Sequence, residues 1–215
     1  MSILRLYAPL AIYAALLCLG LIRWKRLDPS QKLIPAYEGV CIATTLGIEV
    51  LKATHVNTTI LVHVFSPIQT LLFGEMFAQA AGSLRVKRWL RGVAIGYGLF
   101  WLGWLAILGA GSFLSYSIPV FHVHTIVNLL LALTCLAERS REYRITLTSQ
   151  AAFWLAAGLL LDSALCLIFY PVRDWLITNR FQVLVLFNGF HAVWVIITHL
   201  LYGKALLCPP RMRSS

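Results

Sequence analysis

Gln150–Tyr170, QAAFWLAAGLLLDSALCLIFY, is a run of 21 residues with a single acidic or basic residue, Asp162. About 20 mostly apolar residues carry a helix across the hydrocarbon core of a bilayer. Six further stretches read the same way: Ile3–Ile22, Leu33–Leu51, Thr58–Ala81, Trp89–Ala110, Ser117–Ala137 and Phe181–Tyr202. Backbone polar groups in lipid must pair within their own segment, and nothing here alternates with the two-residue period of a barrel. The sequence therefore predicts an all-α, polytopic membrane protein of seven transmembrane helices, a single domain over residues 1–215.

The composition agrees. Of the 215 residues, 60% are hydrophobic and only 12% charged, with a mean hydropathy of +0.79. A water-soluble domain carries roughly twice that share of charge, and a disordered chain needs low hydrophobicity. Seven spans with short connections leave no room for a soluble catalytic domain. The net charge of +10 belongs to loops, not to a nucleic-acid surface. Arg23, Lys25, Arg26 and Lys32 follow the first span, and Arg85, Lys87, Arg88 and Arg91 lie between the third and fourth. Arg139, Arg141 and Arg144 lie between the fifth and sixth, and Lys204, Arg211 and Arg213 follow the last. Only Arg5, Lys52, Arg173 and Arg180 fall on the opposite side, leaving 14 of 18 basic residues on one face. Cytoplasmic loops collect Lys and Arg, so the N-terminus is expected outside and the C-terminus in the cytoplasm of a bacterial inner membrane. Trp24 and Trp89 beside the basic loops, with Tyr116, Tyr170 and Trp175 at the other boundary, suit headgroup depth. The basic cluster follows the first apolar run, the reverse of a secretory signal, so that run reads as a retained helix. Cys18, Cys41, Cys135, Cys166 and Cys208 form no CxxC pair and read as small core residues.

Two halves share a plan. Residues 1–81 and 117–203 each hold three helices with a basic connection after the first, and each places an acid late in the second helix (Glu49, Asp162). A linker helix, 89–110, lies between them. This layout resembles the three-plus-one-plus-three plan of PQ-loop and SWEET-type sugar transporters, although their Pro-Gln signature is absent and the nearest match, Ser66-Pro67-Ile68-Gln69, has an intervening residue. Asn57–Glu75 (NTTILVHVFSPIQTLLFGE) and Asn188–His191 (NGFH) resemble small seven-helix inner-membrane proteins of the Bacteroidota, a likeness that implies no particular activity. Seven-helix input modules of sensor kinases are similar in layout, and imply sensing.

Ionisable residues inside spans are expensive and face the bundle interior or a wet cavity. At 100° per residue, Glu38, Thr45 and Glu49 form one stripe, and Asn188, His191 and His199 share a side. His63, Ser66 and Thr70 follow a third stripe, kinked at Pro67, while Glu75 points elsewhere. His122 and His124 point about 160° apart, so only one faces the centre. Glu49, His63, Asp162, Asn188 and His191 are the expected ligand-binding set for a small polar or cationic solute, in a pocket open to the outside. Glu38, Glu75, Asn128 and His199 form a secondary polar path towards the cytoplasm. The bland alternative for each is an interhelical hydrogen bond worth roughly 1 kcal/mol.

No catalytic residue, metal or cofactor is expected. A zinc or iron site would draw on His63, Glu49 and His122 or His124, but no HxxxH or HExxH pair supports it. A haem would need His63 facing His122 or His124, and neither Ser66 nor Ser163 sits in a GxSxG elbow. A sensor or assembly subunit docking a partner through its arginine-rich loops is the rival reading. In the fourth span Gly92, Gly96, Gly98, Gly103 and Gly109 recur. Gly92-x-x-x-Gly96 serves either close packing inside the bundle or a homo-oligomer face.

Overall fold

A computed structural model describes residues 2–108, 118–141 and 147–209. Gly109, Ala110, Tyr116, Ser117, Arg144, Arg211 and Arg213 lie outside them, as do the side chains of Arg5, Tyr170 and Arg173. Among the described residues every regular element is helical. Seven α-helices follow one another: α1 (Ser2–Ile22), α2 (Leu33–Ala53), α3 (Thr59–Ala80), α4 (Leu84–Leu108), α5 (Ile118–Arg139), α6 (Ala151–Asn179) and α7 (Phe181–Leu207). Six are long and apolar enough to cross a membrane, and α1 contributes a shorter apolar stretch, Tyr7–Ile22.

Three boundaries differ from the sequence reading. Helix α6 continues through Pro171 to Asn179, leaving Arg180 alone between it and α7. The polar residues Arg173 and Asp174 look like loop in a hydropathy reading, yet Leu176 beyond them is buried and anchors the extra turns. Helix α7 runs on past Tyr202 because Ala205 and Leu206 are core residues. Helix α4 begins five residues before Trp89, its basic first turns lying beyond the apolar window.

The helices pack against one another in chain order, the circuit closing where α1 meets α7, and α3 reaches beyond its chain neighbours α2 and α4 to touch α5 and α6. Half of α3 is buried, whereas α4 is the most exposed helix and leans on α3 and α5. The core of Phe73, Phe77, Tyr202, Leu131 and Leu159 sits between α3, α5, α6 and α7. Leu99, Ile107, Ile168 and Leu186 point outward, exposed apolar surface that suits acyl chains and not water.

Close helix contacts use glycine. A Cβ on Gly74 would collide with Ala94 of α4, and one on Gly158 would sit 2.5 Å from Cε1 of Tyr202 on α7. Small residues let helix backbones approach where no hydrophobic force distinguishes neighbour from lipid. Gly92 and Gly96 do not serve this purpose: nothing lies within 4 Å of a Cβ built on either, so their face is open.

The ends are tied by local chemistry. Asp28 and Gln31 form a reciprocal box ahead of α2: the Gln31 amide donates to Asp28 Oδ1 (2.9 Å) and the Asp28 amide to Gln31 Oε1 (2.9 Å). Gln31 Nε2 then donates to the carbonyls of Ala205 (2.8 Å) and Cys208 (3.2 Å), closing the end of α7. Helix α2 stops in a Schellman turn. Val56 N–H donates to Leu51 O (2.9 Å) and His55 N–H to Lys52 O (3.1 Å), with His55 at φ 56°. A non-glycine residue there carries left-handed strain of roughly 1–2 kcal/mol. His55→Gly is therefore expected to raise the melting temperature in detergent slightly, and His55→Val to lower it. Equal melting temperatures for the two variants would refute the strained turn.

Candidate functional site

Pro67 sets up the first part of the site. Lacking an N–H, it leaves the carbonyl four residues back, that of His63, without its helical donor. The Ser66 hydroxyl fills the gap, donating to His63 O at 3.2 Å, and the Tyr97 hydroxyl of α4 lies 2.9 Å from Ser66 Oγ, placed to donate. One turn on, Thr70 of α3 meets His124 and Asn128 of α5 in a closed triangle. Thr70 Oγ1 donates to Asn128 Oδ1 (3.1 Å) and so must accept from His124 Nδ1–H (3.1 Å). Nε2 of His124 is then left to accept from Asn128 Nδ2 (3.1 Å). Each of the three contacts pairs a donor with an acceptor when the imidazole is neutral and carries its proton on Nδ1.

The second part lies between α2 and α7. Glu38, fully buried, receives His199 Nδ1 with both carboxylate oxygens at 2.9 Å. The imidazole is surrounded by phenol rings: Tyr13 of α1 at 4.5 Å between centroids, Tyr37 of α2 stacked at 5.8 Å, and Tyr202 of α7 edge-on at 5.2 Å. Gln69 Nε2 donates to Tyr37 Oη at 3.3 Å, linking this group to α3.

A cavity of about 150 Å³ joins the two parts. Its polar wall draws on four helices: Gln69, His124 and Asn128 on α3 and α5, Asp162 on α6, and His191 and His199 on α7. Among the described residues Asp162 makes no hydrogen bond or ion pair.

No family model, curated protein or solved structure matches this chain. Its own geometry is the ground for any functional reading.

Of the residues expected to bind a ligand, Asp162 and His191 line the cavity, and so do Asn128 and His199 of the secondary path. Glu38 stands behind His199. His63 is buried against Phe121, with ring centroids 5.1 Å apart, and Phe121 forms the wall in front of it. The remaining three do not line the cavity. Glu49 is paired at 2.6 Å with Lys52, and its side chain is 38% exposed. Asn188 is half-buried three residues, roughly 4.5 Å of helix rise, beyond His191. Glu75 makes a two-pronged ion pair with Arg91 of α4, both contacts 2.7 Å, which fastens α3 to α4. Of the two fifth-span histidines, His124 is the one facing inward.

The tyrosines and Cys41 are absent from the sequence-derived set. Tyr13, Tyr37 and Tyr202 read as apolar filler in a hydropathy window, although Tyr37, Glu38 and Cys41 fall within one helical turn. That clustering was the available signal.

Proposed function

We propose that this chain is a multi-pass protein of a bacterial inner membrane, with its N-terminus outside, that takes a small polar or cationic solute into the central cavity from the outer side. The observation that carries this reading is Asp162. A carboxylate within a spanning helix costs about 2.5–3.5 kcal/mol even on the most lenient scales, and among the described residues none offsets that cost with a hydrogen bond. A cation or a hydrogen-bond donor entering the cavity would. Asn128, His191 and Gln69 supply further hydrogen-bonding groups at the same wall. The volume is below the usual 300–1,000 Å³ of drug-sized pockets, which limits the solute to something on the scale of guanidinium or methylammonium.

Whether the solute passes through or is only sensed divides two readings. Passage draws on Pro67, whose break in α3 permits bending. Sensing is favoured by the wall beneath His199, where Phe73, Phe77 and Tyr202 are all packed to 1% exposure or less. Guanidinium uptake into proteoliposomes, with isothermal titration of the same ion in detergent, separates them. Under either reading Asp162→Asn weakens guanidinium binding about tenfold or more, the equivalent of ~1.4 kcal/mol, while Glu49→Gln leaves it unchanged. Binding unaltered by Asp162→Asn would remove the basis of the proposal. Uptake that follows binding identifies a carrier, and binding without uptake identifies a sensor or assembly subunit.

A further inference from the structure

Glu38, Cys41 and His199 are all buried, and one ligand atom of each lies within 4.8 Å of the others. Glu38 and Cys41 stand three residues apart on α2, the spacing that puts two side chains on one helix face, and His199 faces them from α7. We propose that these three side chains hold a borderline-soft divalent metal ion, with zinc as the best fit. His199 lines the cavity, so the fourth position opens towards water or solute. The proposal goes beyond the solute reading and stands or falls independently of it.

Three features of the site support a metal over a simple ion pair. The first is donor chemistry: a thiolate, an imidazole nitrogen and a carboxylate are together the ligand set of zinc, and three protein ligands with an open fourth position mark a site that binds something more. The second is charge. Carboxylate and thiolate together neutralise a divalent ion, so the loaded site carries no net charge into the low-dielectric interior, where an unbalanced one would be expensive. The third is unfilled bonding capacity. Among the described residues the Glu38 carboxylate receives a single N–H although its two oxygens offer about four acceptor positions. The hydroxyl of Tyr202, on the next turn of α7 from His199, is buried with no partner among them. Buried polar atoms of this kind need an explanation, and a metal ion would take up the free lone pairs of the Glu38 carboxylate.

On binding, the thiol proton and the proton held between Glu38 and His199 leave to solvent as the metal–sulfur, metal–nitrogen and metal–oxygen contacts form, and no oxidant or reductant is needed. Tetrahedral zinc brings its donor atoms to about 3.5 Å from one another. Closing to that distance needs rotation of Cys41 about its one side-chain torsion and opening of the Glu38–His199 contact. Tyr13 from α1 and Tyr37 from α2 wall the site, and Asp162 from α6 lines the same cavity, a candidate partner for the metal-bound water.

Cobalt(II) is the probe, because cobalt–thiolate bonds absorb in the near ultraviolet and tetrahedral cobalt gives strong visible bands. The full-length protein in detergent is expected to take up one cobalt ion per chain with both signatures and to lose them on addition of zinc. Cys41→Ser should abolish the near-ultraviolet band, and His199→Gln should weaken binding at least about tenfold. Cys135→Ser and Cys166→Ser should leave both signatures in place. Should Cys41→Ser not fold, X-ray absorption on the zinc-loaded parent decides instead, with one sulfur and the rest nitrogen or oxygen expected. No cobalt spectrum, a spectrum that survives Cys41→Ser or follows Cys166, or a zinc shell without sulfur would overturn the site.

Discussion

Glu38→Ala is expected to destabilise the bundle by about 3–5 kcal/mol, the usual cost of removing one partner from a buried pair. The remaining imidazole of His199, 4% exposed in the parent and set among three phenol rings, would lose the carboxylate whose two oxygens it now meets. Replacing both partners by apolar groups of similar volume, Glu38→Leu with His199→Phe, should recover most of the loss, since such exchanges are often neutral or stabilising. Denaturant or thermal unfolding in detergent checks both. A single variant within about 0.5 kcal/mol of the parent, the range of ordinary surface changes, would show that the pair is not buried as described.

Glycine substitutions should divide sharply by location. Gly158→Ala places a methyl group 2.5 Å from the Tyr202 ring, which is held by Tyr37, Phe73 and His199 and cannot simply turn aside. Overpacking of this kind costs about 1–3 kcal/mol. Gly92→Ala and Gly96→Ala meet open space, and in a helix interior exchanging Gly for Ala gains roughly 0.5–1 kcal/mol. Opposite signs of the melting-temperature shift are the expected result, and equal shifts would contradict the α6–α7 contact. Size-exclusion chromatography of the same α4 variants reports whether their open face holds a second copy of the chain.

The helices were legible in the sequence because the solvent imposes the rule: a chain crossing lipid must pair its backbone within each segment, and twenty apolar residues announce that directly. Helix ends were less so. Hydropathy cannot tell a polar loop from polar helical turns, which is why α6 was expected to stop at Tyr170 and instead carries Arg173 and Asp174 onward. The site was partly legible. Angular position alone groups Glu49 with Glu38, yet Lys52 sits one turn from Glu49 and pairs with it near the end of α2, while Glu38 finds His199 161 residues away. Facing partners from distant segments are invisible to a helical wheel. So is the role of Tyr37 or Cys41, whose chemistry depends on what stands across from them.

The account rests on polar side chains of four helices turning inward onto one cavity. A crystal structure grown from lipidic cubic phase, at a resolution that shows ordered water, tests this directly. It should show water or ion density between Asp162, His191 and His199, with the Glu38 carboxylate against His199 or a metal bound between them. A dry, close-packed centre with Asp162 turned towards the acyl chains would contradict it.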